Sequence, residues 1–401
     1  MMKQTGDQFL VKKINKSIVL ETIRSFSPIS RAKVSELTGL NKGTVSSLVS
    51  ELMESDLVSE LGPGESSGGR KPLILIFNRS AGHAIGVDIQ VDAVSAVVTD
   101  LQGAILGRTS VELSETEVPA VIRAIRTAVE ELAKLAPPSA YGIVGVGVGV
   151  PGIVDGSGTV LFAPNLRWSE VKLQEILVHE LQLPVIIDNE ANAGAEGEKL
   201  FGAGRDVDNL IYLSVSHGIG TGIILNREIY KGASGFSGEA GHFSIVADGI
   251  RCTCGNYGCW ELYASENALL EEADRLLHPH KIAGAAEHRR NTLEELIELA
   301  AGGDDQVVEL FKQTGKYLGI GIANLVNVFN PELILIGNRM ALAEEFIAST
   351  IIKTVNERSL FFHRNAVRIE FSHLNLDSTV LGAASFALSQ FFGKTRVSVE
   401  S

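Results

Sequence analysis

Residues 27–53 read SPISRAKVSELTGLNKGTVSSLVSELM, and the punctuation inside that stretch decides how the first part of the chain folds. Pro28 stops a helix arriving from the N-terminal side, Ser30 is a good N-cap for RAKVSELT, and Gly39 ends that segment. Asn41 then caps KGTVSSLVSELMES, where Val45, Leu48, Val49, Leu52 and Met53 fall at i, i+3, i+4, i+7 and i+8 and share one face. Two short helices joined by a glycine-containing turn make a helix-turn-helix. Upstream, NKSIVLETIRSF (15–26) places Ile18, Val19, Ile23 and Phe26 at helical spacing. Downstream, LVSELGPGESSGGRKPLILIF (57–77) reads as a two-stranded wing with Gly62 to Gly69 at its tip. The outer face of the last helix shows Lys42, Gly43, Thr44, Ser46 and Ser47, small and polar residues of the kind that enter a major groove. Arg70 and Lys71 on the wing are placed to reach a phosphate or the minor groove. A three-helix domain used for protein contacts is the alternative. Caps, turn, polar face and basic wing agree with one another, and that agreement favours operator DNA as the partner.

Charge sets this module apart from the remainder of the chain. Residues 1–80 carry 11 Lys and Arg against 8 Asp and Glu, whereas the whole chain of 401 residues has a net charge of -13, so a basic head precedes an acidic body. That balance excludes a protein that coats nucleic acid along its length. With 45% apolar and 21% charged residues the chain has the composition of a globular protein of two or three domains. Its longest apolar run, IVGVGVGVPGIV (143–154), is too short and too glycine-rich to span a bilayer, and there is no charged start followed by an apolar stretch. The expected location is therefore the cytoplasm, with no membrane partner. There the three cysteines, all within CTCGNYGCWE (252–261), stay reduced, and metal binding explains their clustering better than disulfides do.

After residue 80 the pattern becomes α/β. AIGVDIQVDAVSAVVTD and LQGAILGRTSVEL read as two or three antiparallel strands, and VPAVIRAIRTAVEELAKLA as an amphipathic helix. YGIVGVGVGVPGIVD is a further strand and turn. LPVIIDNEANAGAEGEKLFGAG reads as a strand running into a helix, and NLIYLSVSHGIGTGIILNREIY as a glycine-turned hairpin opening a second sheet. A long helix (VVELFKQTGKYLGIGIANLVNVFN), a strand (ELILIG) and a last helix near SFALSQFF complete two α/β halves with a cleft between them. The expected division is 1–80 for the winged helix-turn-helix, 81–188 for a first lobe completed by 376–401, and 189–375 for a second lobe carrying the cysteines.

In this order, NEANAGAEGE (189–198), FSGEAGH (236–242), CTCGNYGCWELYAS (252–265) and YLGIGIANLVNVFNPELILIG (317–337) resemble the ROK family of bacterial repressors and sugar kinases. The resemblance covers essentially the whole chain and implies a two-lobed, actin-like (ribonuclease-H-like) body. The N-terminal module matches the repressor branch, and SSGGRKP with the helix-turn-helix is similar to the xylose repressors of Gram-positive bacteria. The resemblance also implies that His242-x9-Cys252-x-Cys254-x4-Cys259 holds a structural zinc, one imidazole and three thiolates closing a tetrahedron with no open position. Three reduced structural cysteines beside a histidine are the alternative, but Gly255 and Gly258 supply the tight turns of a metal knuckle. For sugar hydroxyls the resemblance nominates Asn165, Asn189, Glu190, Glu239, His242 and Glu261.

The phosphate-binding signals of the kinases are altered. Their first phosphate turn, of the type DxGGT, reads DIQVDAV here, with Gln90 and Val91 where glycines let the backbone approach phosphate. The second loop reads SHGIGTG (216–222) in place of GTGxGGG, IGN (336–338) lacks a further glycine, and Glu190 stands where the kinases have their catalytic aspartate. The expectation is a sugar sensor without catalytic residues: a dimer or higher oligomer on a palindromic operator, released by a sugar, xylose first. A kinase with an accessory DNA-binding head and a repressor governed by a protein partner are the other readings.

Overall fold

The computed structural model describes residues 8–63, 73–277 and 291–393. Its head contains α1 (Gln8–Phe26), the short strand β1 (Ile29–Ser30), α2 (Arg31–Thr38), α3 (Lys42–Glu54) and the wing strands β2 (Val58–Pro63) and β3 (Leu73–Phe77), with β1 and β2 both antiparallel to β3. The two caps form as the sequence predicts: Ser30 accepts from the Lys33 N–H and Asn41 from the Thr44 N–H. Val45, Leu48, Val49 and Leu52 are buried against Val19 and Ile23. Helix α1 differs from the expectation in two respects. It begins seven residues before Asn15, and Ile18 and Phe26 are exposed while Leu20 is buried, because the face that meets α3 is centred on Val19 and Ile23. Arg31, bonded to Glu60 at 2.6 Å, ties the start of α2 to the wing.

The body holds two five-stranded sheets with the same plan. In the first, β4 (His83–Ile89), β5 (Ala93–Asp100) and β6 (Ile105–Glu112) form an antiparallel meander, α4 (Val118–Leu135) crosses over, β7 (Ile143–Val150) joins parallel to β4, and β11 joins parallel to β7. Between them lie a small sheet of β8 (Ile153–Val154), β9 (Val160–Ala163) and β10 (Trp168–Val171), then α5 (Leu173–Leu181); β11 is Val185–Asn189 and runs directly into α6 (Glu190–Phe201). In the second sheet β12 (Leu210–Val215), β13 (Ile219–Leu225) and β14 (Glu228–Ile229) form the antiparallel part. Helices α7 (Glu261–Ala264), α8 (Glu266–Leu277), α9 (Leu293–Ala301) and α10 (Asp305–Phe329) precede β15 (Leu333–Gly337), and α11 (Glu344–Arg358) and α12 (Phe361–Ala366) precede β16 (Arg368–Phe371). Both added strands are parallel. Counting strands from the start of each sheet, the order across both is 3-2-1-4-5, a repeat of topology that the sequence does not display. No helix among the described residues is long and apolar enough to cross a membrane.

The last helix, α13 (Asp377–Gly393), ties these parts together. The alternating glycines of IVGVGVGV form its seat. Cβ atoms built at Gly145, Gly147 and Gly149 would meet the Ala387 side chain at 3.4 Å, the Ala383 carbonyl at 1.7 Å and the Thr379 methyl at 2.8 Å. Two residues of strand advance about 6.6 Å and four residues of helix about 6 Å, so a glycine on every second strand position leaves a trough into which one face of a helix fits. At its far end α13 leaves the sheet and enters the head. Ala384, Ala387 and Leu388 belong to the same buried cluster as Val19, Ile23, Val49 and Leu75, and Phe392 packs 6.2 Å from Phe77 with Arg24 over its ring. Tyr141 stacks edge-on with Phe391 and donates to the Ser55 carbonyl at 2.8 Å. The core of the head is therefore completed by α13.

Candidate functional site

Between the two sheets lies a cavity of about 440 Å³, within the range of small-molecule sites. The six residues nominated for sugar binding, Asn165, Asn189, Glu190, Glu239, His242 and Glu261, all line it. They arrive from both lobes: Asn165 from the loop after β9, Asn189 and Glu190 from the junction of β11 with α6, the others from the segment after β14. Gly218, at the β12–β13 turn, keeps the middle open, since a Cβ there would stand 3.0 Å from Glu261 Oε2 and 4.0 Å from Asn165 Nδ2. Asn189 is largely committed to the fold. Its Oδ1 caps α6 through the N–H groups of Ala191 and Asn192, and its Nδ2 donates to the Gly152 carbonyl at 2.9 Å.

Glu190 is the opposite case. Its Oε2 is buried without a hydrogen-bond partner, and burial, reinforced by the negative charges of Asp88 and Glu239, pushes its carboxyl up to about 8. Asp88, on β4, lines the cavity too, although nothing in DIQVDAV singles it out for sugar binding. It is 4% exposed, burial raises its carboxyl to about 6, and Gln90 Nε2 donates to it at 2.7 Å. A lone aspartate in an apolar strand carries no signal of its own. The Gln90 amide thus turns back onto Asp88 in the cavity lining.

At the other end of the cavity Asn338 adopts φ 62°, unusual for a residue with a side chain, with Nδ2 donating to Ser214 Oγ at 3.0 Å. Arg339 beside it is held by Glu266 at 2.8 Å and Glu294 at 3.0 Å. Among the described residues lining the cavity there are four carboxyls, Asp88, Glu190, Glu239 and Glu261, and Arg339 is the sole Lys or Arg. An acidic cavity whose guanidinium is already paired disfavours a polyphosphate and suits an uncharged ligand rich in hydroxyls.

One wall of the cavity is the cysteine knuckle. His242 Nδ1 lies 3.7 Å from Cys252 Sγ, Cys254 Sγ lies 3.7 Å from Cys259 Sγ, and all four ligand atoms fall within 4.8 Å of one another. Bonds of about 2.3 Å in a tetrahedron give sulfur–sulfur edges of about 3.8 Å, so the two 3.7 Å pairs match a four-coordinate metal and the widest separation, up to 4.8 Å, closes by about 1 Å on binding it. Gly255 at φ 96° and Gly258 at φ 67° make the turns, as the spacing requires. Trp260, fully buried, stacks on Phe243 at 5.2 Å and donates to the Tyr317 carbonyl, rooting the knuckle in the second lobe's core. Glu261 Oε1 sits 3.3 Å from His242 Nδ1, joining the metal-ligand set to the cavity.

In the head, Lys42, Gly43 and Ser47 are exposed at the start of α3, with Thr44 and Ser46 half-buried beside them. Arg70 and Lys71 lie outside the described residues.

The sequence profile of the ROK family matches residues 84–390. The chain belongs to the ROK family. It is 41% identical to the xylose repressor of Bacillus spizizenii, over 96% of this chain and 98% of that one. Among solved structures, a ROK family transcriptional regulator homologous to the Escherichia coli Mlc protein superposes with a TM-score of 0.80 at 29% identity, covering 96% of this chain and 98% of the other. A ROK family glucokinase from Streptomyces griseus, in complex with glucose and AMPPNP, gives a TM-score of 0.69 at 31% identity, covering 76% of this chain and 99% of the kinase. The match to this ROK kinase spans about three quarters of the chain, whereas the match to the ROK regulator spans nearly all of it.

Proposed function

We propose that this protein is a sugar-responsive transcriptional repressor that holds xylose-utilisation genes off and leaves its operator when xylose enters the cleft. The observation that carries this reading is the junction of a winged helix-turn-helix to an acidic cavity that has no unpaired Lys or Arg among its described lining residues. Likeness to the Bacillus spizizenii xylose repressor supports the choice of sugar. In this reading the protein is cytoplasmic and not an enzyme, and two copies present their heads to a palindromic site. His242, Cys252, Cys254 and Cys259 hold zinc as a structural ion. Asn165, Glu190, Glu239, His242 and Glu261 meet the sugar directly, with Asn189 setting the start of α6. For release, xylose must bind the DNA-incompetent form more tightly, and a 100-fold preference supplies about 2.7 kcal/mol of coupling. Titrating pentoses and hexoses into the purified protein on operator DNA tests the reading; release by no sugar would refute it.

The DNA contacts proposed are Lys42, Gly43, Thr44, Ser46 and Ser47 on α3 and Arg70 and Lys71 on the wing. Lys42→Ala and Arg70→Ala are each expected to weaken operator binding by about 1 to 3 kcal/mol where the lost contact is to a base. A mobility-shift titration in which both variants bind like the parent rejects this docking.

Glu190 also accounts for the choice of a pentose. It stands where the kinases place the aspartate that reaches the exocyclic 6-hydroxyl, and xylopyranose has no such carbon. The extra methylene of glutamate occupies that space and crowds glucose, a discrimination of about 1 to 3 kcal/mol per carbon unit. Glu190→Asp is expected to narrow the preference for xylose over glucose by that amount without creating a kinase. Calorimetry with both sugars on both proteins checks it, and an unchanged ratio removes Glu190 as the selector.

A further inference from the structure

The demand that Glu190 makes on a ligand is unusual. Its Oε2 is buried with no partner, and every charged group that raises its carboxyl is negative: Asp88 on β4 and Glu239 in the segment after β14. The other elements around it bring no cation. Gly149 of β7 lies against its Cα, a Cβ at Gly220 of β13 would stand 2.9 Å from Oε1, and Thr379 of α13 donates to its main-chain carbonyl. Tyr212 of β12, also coupled to it, is a phenol that burial keeps neutral. Arg339, which lines the cavity, is occupied by Glu266 and Glu294, and Lys231 is occupied by Asp188. A carboxylate in this position would be a buried charge facing two others without a counter-ion, a costly arrangement.

We propose that Glu190 meets the sugar as a neutral carboxylic acid, its carboxyl group donating a hydrogen bond into the cavity, to a ring or hydroxyl oxygen of the ligand, while the buried Oε2 carries no negative charge. This rests on the reading of the cleft as a xylose site and specifies its chemistry. It inverts the role of the kinase aspartate at the same place, which accepts a proton from the attacking hydroxyl. A protonated Glu190 cannot act as that base. The cleft therefore selects for an acceptor oxygen at this point, and the sugar response depends on a single proton.

The direction of the pH dependence is set by the free protein, where the carboxyl titrates near 8. The donor form is fully present well below that pH and is lost as pH rises through it, so xylose affinity falls about tenfold per unit above it. Asp88, raised to about 6, also lines the cavity, as do His217 and His242; a variant with a permanent donor separates any contribution of theirs from that of Glu190. Glu190→Gln supplies an amide that donates at every pH.

Xylose binding is measured by calorimetry on the full chain, parent and Glu190→Gln, at half-unit steps from about pH 6 to about pH 9.5, with far-ultraviolet circular dichroism showing that both remain folded. The expected result is a ratio of affinities, variant over parent, that is flat to about pH 7.5 and then rises about tenfold per unit. A ratio constant across the range overturns the proposal, as does a folded Glu190→Gln protein that binds no xylose at any pH. A parent protein that binds no xylose overturns the sugar assignment as well, whereas binding with a flat ratio overturns only the proton.

Discussion

Gly147→Ala is expected to destabilise the protein by about 3 kcal/mol or more and to weaken operator binding, although the residue lies in the body and touches no DNA. An added Cβ would stand 1.7 Å from the Ala383 carbonyl and 2.5 Å from its carbon, so it meets main chain that has no rotamer to give. Overpacking a core typically costs about 1 to 3 kcal/mol, and a clash with the backbone of a helix lies at or beyond the upper end. Either α13 lifts from its trough or β7 bends away. Lifting α13 withdraws Leu388 and Phe392 from the head, where they pack with Leu75 and Phe77, and Phe391 from Tyr141, which is bonded to the head at Ser55. Gly156→Ala is the control, because a Cβ there meets nothing within 4 Å. Urea denaturation of both variants, followed by operator titration, checks the expectation. Equal stability of the two would mean that the trough is more accommodating than its geometry.

The second large effect is expected at the knuckle. Cys254→Ser should release about one zinc per chain and reduce xylose affinity at least tenfold while changing operator affinity in the absence of sugar much less. Structural zinc sites bind with apparent energies of about 10 to 16 kcal/mol, so loss of one of four ligands removes a major source of local order. Cys254 is exposed, which limits direct damage to the core. His242 and Glu261, 3.3 Å apart, are then no longer fixed with respect to the cavity. The knuckle belongs to the second lobe and shares no buried cluster with the head, hence the small effect expected on DNA. Elemental analysis of the parent and the variant, with calorimetry and mobility shift, tests all three parts. A parent without zinc ends the argument.

What was legible in the sequence divides along the range of the forces involved. The caps at Ser30 and Asn41 act over three residues, and both helices begin where those residues place them. The clustering of Cys252, Cys254 and Cys259 was legible for the same reason, since it is a local spacing, whereas the addition of His242 came from likeness to a family. Helix α13 was visible only as its last turns, near SFALSQFF. Residues Ser378 to Ser385 are buried in succession, so the segment has no polar face and no helical period to announce it. The purpose of IVGVGVGV was equally hidden, because a strand with alternating glycines states that something comes close and not what. Ile18 and Phe26 have the right spacing for a buried face and are exposed, since the partner helix meets α1 through Val19 and Ile23 instead. The cleft residues came from likeness to a family. Asp88, and the missing partner of Glu190, needed three dimensions, because what sets both apart is burial between elements that are distant in the sequence.

The shared core of head and last helix also has a consequence for synthesis. The head leaves the ribosome before the body, yet Leu388, Phe391 and Phe392 complete its interior and are made only after both five-stranded sheets of the body. At about 5 to 20 residues per second the interval between the end of the wing and these residues is roughly 15 to 60 s. During that time the recognition helix exists without a finished foundation, and a fragment cut short by a nonsense codon never acquires one. Exchange of DNA specificity between relatives by grafting residues 1–80 alone would carry a head whose interior still expects its former α13. A graft that moves the final turn of α13 together with the head respects the way the chain closes on itself.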